Sequence, residues 1–274
     1  MSIHKDPSGR RWVAVEVEVP GALEEVWQAI ATGPGVSSWF VHTEVREDGS
    51  IVSHFGPGMD AVATRTAWDP PHRFAGEGEM GPGAPKMATE WIVEARAGGK
   101  CLVRVIHSLF ASTDDWDSQL EGLESGWPDY FRILRLYLTH FRGQPCAPFQ
   151  MIAMTPEPVT SAWEKLTAPL GLAGAAEGDR LSAEPITPPF AGVVEHGAGV
   201  GHPHHFLVRL DQPAPGIAHL FAMPMGALAV LAFRVYLYGP HAAAIAARDE
   251  PRWQEWMNTR FVPSTTAKEI PEKA

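Results

Sequence analysis

The sequence predicts an α+β protein built from two tandem copies of one unit, each a curved antiparallel sheet wrapped around a long C-terminal helix. Three observations predict it. First, landmarks recur in collinear order: Pro20, Trp27, Ile30 and Gly35 reappear at one shared offset as Pro156, Trp163, Leu166 and Gly171. Further along, Phe74-Ala75-Gly76 resembles Phe190-Ala191-Gly192, and Glu124 with Trp127 resembles Glu250 with Trp253. Second, short period-2 apolar segments alternate with Gly/Pro/Asp turn clusters, which favours neighbouring strands that pair antiparallel. Third, the first copy closes on a helical apolar stripe, and one stripe plus one sheet face can bury each other. The boundary is expected near Gly143, giving domains at 1–143 and 144–261 and a disordered tail at 262–274.

The first copy opens on a strand in which Val13, Val15, Val17 and Val19 alternate with Ala14, Glu16 and Glu18. Pro20-Gly21 ends it. Leu23, Val26, Trp27 and Ile30 then fall at helical spacing, and Gly33-Pro34-Gly35 leads through a short turn to Trp39-Phe40. Six strands are expected at Thr43–Arg46, Ile51–Phe55, Ala61–Ala67, Arg73–Gly78, Met87–Ala95 and Cys101–Phe110. Ser125 is placed to cap a helix whose Trp127, Phe131, Leu134, Leu138 and Phe141 step by four and three, with Pro128 tolerated in its first turn. The second copy repeats the scheme with fewer strands. Its pieces are Phe149–Met154, Trp163–Leu166, strands near Phe206–Leu210 and Gly226–Leu237, and a helix after Gly239-Pro240.

Composition narrows the function classes. The chain has 274 residues, 45% hydrophobic and 20% charged, enough apolar material for a sizeable core. Lys plus Arg number 22 against 32 for Asp plus Glu, and a net charge of -10 repels a phosphate backbone, so nucleic acid is not expected as a partner. Cys101 and Cys146 cannot make a disulfide framework, and the start MSIHKDPSGRR lacks the apolar core of a signal peptide. The apolar stretch Ile217–Phe233 carries His219, Pro224 and Gly226 and is shorter than the roughly 20 residues of a spanning helix. The expectation is a cytoplasmic, reduced protein with no membrane segment, Cys101 buried in a strand and Cys146 in the linker.

Several motifs lose their chemistry in context. Gly76-Glu77-Gly78-Glu79-Met80-Gly81 satisfies a dinucleotide-loop pattern, but Pro82, Gly83 and Pro85 follow where a helix should open, so a strand-end turn is expected and no cofactor. His202 and His204 are two apart and could share a strand face as metal ligands, with His205 adjacent and His196 the only other histidine nearby. No matched cysteine pair accompanies them, so a solvated loop entering the strand at Phe206 is expected and no metal. Trp27, Trp127 and Trp253 are expected in the core. The glycine-proline turns at Gly33, Gly56 and Gly81 could border a cavity mouth, though turn geometry alone explains them.

One residue stands apart. In Cys101–Phe110 the charge on Arg104 turns Leu102, Arg104, Ile106 and Ser108 toward water, which points Val103, Val105 and His107 inward. The preceding strand places Glu90, Glu94 and Arg96 outside and Thr89, Trp91 and Val93 inside by the same logic. An inward His107 beside Trp91, facing a helix that carries Tyr130 and Leu134, is either a hydrogen-bonded core histidine or a group that binds a ligand carbonyl or moves a proton near neutral pH. The expected ligand-binding set is Trp91, Val93, Val103, Val105, His107, Tyr130 and Leu134, with ligand space chiefly against the first domain's helix.

The segments VPGALEEVWQAIATGPGVSSWF at Val19–Phe40, VRVIHSLF at Val103–Phe110 and ESGWPDYFRILRLYL at Glu124–Leu138 resemble the helix-grip proteins, also called Bet v 1-like or START-like (SRPBCC), and in particular the branch named for the activator of the Hsp90 ATPase. The tandem arrangement is similar to di-domain polyketide aromatase/cyclases and to START-like proteins associated with enediyne biosynthesis. The resemblance implies a binding or carrier protein for a hydrophobic small molecule, including elongated polyketide- or polyene-like ones, in natural-product biosynthesis or self-protection. Its alternatives are a cyclase- or aromatase-like enzyme using His107, Tyr130 or Arg65, and a co-chaperone acting through its surface.

Overall fold

The computed structural model describes residues 3–56, 58–79, 84–197 and 203–261. The expected tail at 262–274, His202 and the turn at Gly81 lie outside the described residues. The chain forms two compact units, Met1–Gly143 and Gln144–Ala274.

Unit 1 is an eight-stranded antiparallel sheet in the order β1-β2-β8-β7-β6-β5-β4-β3. Its strands are β1 (His4–Lys5), β2 (Arg10–Pro20), β3 (His42–Val45), β4 (Ser50–His54), β5 (Asp60–Asp69), β6 (Arg73–Glu79), β7 (Lys86–Arg96) and β8 (Lys100–Phe110). Helices α1 (Leu23–Ala31) and α2 (Gly33–Ser37) follow β2, and α3 (Asp117–His140) closes the unit. The start of α1 is held by Glu25, whose carboxylate accepts the Ala22 N–H at 2.8 Å. In place of the expected turn at Gly33 stands a short helix packed hard on α1: a Cβ on Gly35 would lie 1.9 Å from the Gln28 carbonyl oxygen, so only glycine permits the approach. The inner face of β7 and β8 follows the alternation, with Trp91 opposite Val105, Val93 opposite Val103 and Thr89 opposite His107. On the outer face Arg104 pairs with Glu16.

The third helix departs from expectation. It starts at Asp117, not at Ser125, so Pro128 sits inside it rather than in its first turn. Ser125 does not cap: its hydroxyl donates to the Gly122 carbonyl at 3.0 Å. The early start is set at long range. Arg11 of β2 donates to the Asp117 carboxylate at 2.6 Å and Lys5 of β1 lies 2.8 Å from it, which fixes an acidic first turn where the helix dipole favours one. Trp116, Leu120 and Leu123 already carry the stripe of Trp127 back through this stretch, so the apolar spacing itself also allows the earlier start, which the choice of Ser125 as the cap overlooks.

Unit 2 is a six-stranded antiparallel sheet, β10-β11-β12-β13-β14-β9. It runs through β9 (Cys146–Thr155), α4 (Val159–Thr167), a 3-10 turn (Ala168–Leu170), β10 (Arg180–Ser182), β11 (Ala191–His196), β12 (His205–Gln212), β13 (Gly216–Met225), β14 (Leu228–Tyr238) and α5 (Ala242–Arg260). As in unit 1, the first long strand pairs with the last, β9 with β14 here and β2 with β8 there. The apolar stretch Ile217–Phe233 is a hairpin whose two-residue loop is Gly226-Ala227, with Gly226 at φ +61. Gly226 therefore turns the chain instead of opening a strand. Two placements are corrected. Cys146 is the first residue of β9, paired with Tyr238, not a linker thiol. His205 is buried at the start of β12, with its ring 5.0 Å from that of His219, rather than in a solvated loop. Among the described residues no helix is long and apolar enough to cross a membrane.

Candidate functional site

A cavity of about 350 Å³ lies inside unit 1, between the sheet and α3. That volume is at the lower end of the roughly 300–1,000 Å³ of small-molecule sites, which suits one compact ligand. Its walls are largely aromatic: Phe40, Trp68, Phe74, Trp91, Trp127 and Tyr130 all line it. These rings brace one another. Trp91 meets Trp127 edge-on at 5.1 Å, and Phe40 meets Tyr130 edge-on at 4.5 Å and stacks on Trp127 at 5.4 Å. Offset and edge-to-face contacts of this kind hold ring positions, so the walls are preformed.

Strands and helices from the whole length of unit 1 converge on this site. β7 and β8 contribute Trp91, Thr89 and His107 from their inward rows. The segment after α2 contributes Trp39 and Phe40, and α3 contributes Gly122, Gly126, Trp127 and Tyr130. From β5 come Ala63, Arg65 and Trp68. A simple alternation would put Ala67, not Trp68, on the face of Arg65. A bulge between Arg65 and Ala67 shifts the register, and Trp68 then stands opposite the inward Phe74.

His107 is buried in the cavity wall, and both its ring nitrogens are engaged. Trp127 donates its indole N–H to His107 Nε2 at 2.7 Å, and His107 Nδ1 lies 3.0 Å from the Thr89 hydroxyl. With Nε2 accepting, the proton belongs on Nδ1, which donates to Thr89. Burial pushes its pKa down to about 4, so the imidazole is neutral at pH 7. Its lone pair is committed to Trp127, and the arrangement therefore orients an aromatic wall. Arg65 also reaches the cavity, with its guanidinium 4.8 Å from the centre of the Trp68 ring.

Of the residues singled out from sequence, Trp91, His107, Tyr130 and Arg65 come together on the cavity. Val93, Val103, Val105 and Leu134 are buried and do not line it. Phe40, Trp68, Phe74 and Trp127 are wall residues that sequence reasoning left out of the site. For Trp127 a signal existed, since it precedes Pro128 on the stripe that faces β7, but core packing explained it equally well. Gly33 lies against the β3 backbone, where a Cβ would come within 2.9 Å of the Thr43 carbonyl oxygen.

No protein-family profile and no curated protein sequence matches the chain. Among solved structures, similar folds include CalU16 from Micromonospora echinospora, 19% identical over 49% of this chain and 79% of that one, with a TM-score of 0.40. DynU16, a protein of the dynemicin biosynthetic locus, is 18% identical over 89% and 95%, with a TM-score of 0.42. The di-domain ARO/CYC BexL from the BE-7585A biosynthetic pathway is 16% identical over 91% and 95%, with a TM-score of 0.43.

Proposed function

We propose that unit 1 binds a compact, flat, hydrophobic small molecule and that the protein acts as its carrier or binding protein. One observation carries this reading: a preformed cavity of about 350 Å³ whose walls are aromatic rings held in place by one another and by the His107–Trp127 hydrogen bond. Burying an apolar ligand there removes surface from water at about 25 cal/mol per Å². The aromatic walls add stacking and edge contacts to a conjugated ring system. The volume favours a fused or linked ring core over a fully extended polyene, so a polyketide-like ligand would enter by its cyclic part.

A second reading rests on Arg65 and Tyr130, polar side chains that reach the same space. In an aromatase- or cyclase-like reaction these two would steady a developing enolate, while the walls exclude water from a reactive chain. His107 serves both readings as the residue that positions Trp127.

The test is a titration of tryptophan fluorescence and heat with fused-ring aromatics and with linear polyenes, followed by mass analysis of the recovered ligand. Binding of the ring compounds with a negative heat-capacity change and little salt dependence is expected. Ligand recovered unchanged supports the carrier, and a cyclised or dehydrated product supports the enzyme. If no ring compound binds, the small-molecule reading fails and a role exerted through the protein surface takes its place.

A further inference from the structure

On the opposite face of the same sheet, β3 and β4 bring together two histidines and a carboxylate. His42 stands directly across from His54 in the antiparallel pair, and Glu44 follows His42 by two residues. Thr43, Val45 and Ile51 line the cavity, so the alternating His42, Glu44 and His54 face away from it. The two imidazoles lie nearly parallel with centroids 5.2 Å apart. Ligand atoms of all three residues lie within 4.8 Å of one another.

The hydrogen bonds around this cluster prepare it. Arg46 donates from Nε and Nη2 to Glu44 Oε2, at 2.9 and 2.7 Å, and leaves Oε1 turned toward His54. Asp60 Oδ1 lies 2.8 Å from His54 Nδ1. A proton on Nδ1 satisfies that contact and presents the Nε2 lone pair outward, the carboxylate–histidine arrangement that supports metal-ligating histidines. Nε2 then faces Glu44 Oε1 at 3.5 Å, lone pair toward lone pair. A cation between them resolves that opposition. Two ligands of a tetrahedral ion with bonds of about 2.1 Å are roughly 3.4 Å apart, so this pair already has the spacing, and the exposed His42 ring can turn to supply the third bond.

We propose that His42, Glu44 and His54 form a divalent transition-metal site, with Zn²⁺ as its ion and Asp60 as the positioning residue for His54. Two imidazoles and one carboxylate suit zinc and the neighbouring first-row ions and not Mg²⁺ or Ca²⁺, which want oxygen donors. Three protein ligands leave a fourth position for water. The ion ties the edge strand β3 to β4 from the face opposite the cavity and is independent of what the cavity holds.

The experiment is calorimetric titration of the chelator-treated full-length protein with Zn²⁺, with bound metal counted after desalting. One equivalent is expected, with no heat from Mg²⁺. Binding is lost in the His42→Ala/His54→Ala double variant, which is checked for a wild-type circular dichroism spectrum, and weakened about 10- to 100-fold in Asp60→Asn. Absence of zinc binding by the wild-type protein overturns the proposal, as does undiminished binding by the folded double variant, which would assign the ion to other histidines.

Discussion

Unit 1 and unit 2 place a tryptophan at the same point of the grip and use it differently. In unit 1, Trp127 of α3 stands at the cavity, with its indole N–H given to His107 and one edge open to the empty space. In unit 2 its repeat counterpart Trp253 of α5 is wholly buried, with Phe233 at 5.0 Å, Trp256 at 5.4 Å and Phe190 at 6.1 Å. Phe190 is itself the counterpart of Phe74, which in unit 1 lines the cavity. The strands differ in the same sense. Inward residues of β14, Leu231, Phe233, Val235 and Leu237, join one continuous apolar cluster, whereas β8 interrupts its row with His107. Unit 1 also has six strands between its small helices and its long helix where unit 2 has five, and β3, β4 and β5 supply one cavity wall. The lesson is that a shared order of strands and helices does not decide whether a grip keeps an open interior or fills itself with its own rings.

The largest expected effect tests the closed side of this comparison. Trp253→Ala removes a fully enclosed ring and is expected to cost about 3–5 kcal/mol in denaturant unfolding. Trp127→Ala is expected to cost less, because its ring borders space that water can enter. Equal losses in the two variants would break the comparison.

Next in size is the pH dependence that His107 contributes in unit 1, beside the one that burial of His219, which also pushes its pKa down, contributes in unit 2. His107 is held neutral by burial, with its pKa near 4 against 6.5 for the free side chain. Above pH 6.5 the imidazole is neutral in the folded and the unfolded chain, and no penalty arises. As pH falls from 6.5 toward 4 the unfolded chain takes up a proton that the folded one refuses, so stability is lost across that window, by about 3 kcal/mol in total. In His107→Gln this part of the acid dependence should vanish while the carboxylate contribution below it stays. An unchanged slope between pH 6.5 and 4 would show that the imidazole is solvated and would undo the account of Trp127.

The smallest effect on stability is the sharpest on function. Gly122 and Gly126 lie one turn apart on α3 at the cavity, and a Cβ on either meets nothing within 4 Å. Gly126→Leu is expected to stabilise the helix by up to about 1 kcal/mol while its side chain occupies ligand space. Ring-compound affinity should fall tenfold or more as the melting temperature holds or rises. Retained affinity would move the binding site elsewhere. Arg65→Ala should cost only about 0.5–1 kcal/mol through its lost contact with Trp68, and a larger drop in turnover than in affinity would favour the enzymatic reading.

Much of the fold was legible because it is written locally. Period-2 rows in β2, β7 and β8, helical spacing from Leu23 to Ile30, and turn residues between the strands each act over a few neighbours, and the inward turn of His107 follows from the charge on Arg104, as that of Thr89 and Trp91 follows from Glu90, Glu94 and Arg96. Only the tertiary structure decided the rest. The ion pairs that anchor the start of α3 come from Arg11 and Lys5, about a hundred residues away in sequence. The place of Trp68 depends on a bulge that no alternation announces. The His107 lone pair goes to a tryptophan on another element, and His42 meets His54 only through the β3–β4 register. Whether the interior is open or filled is set by how rings from distant segments meet. That is a matter of volume and register, summed over the whole unit, and no window of sequence contains it.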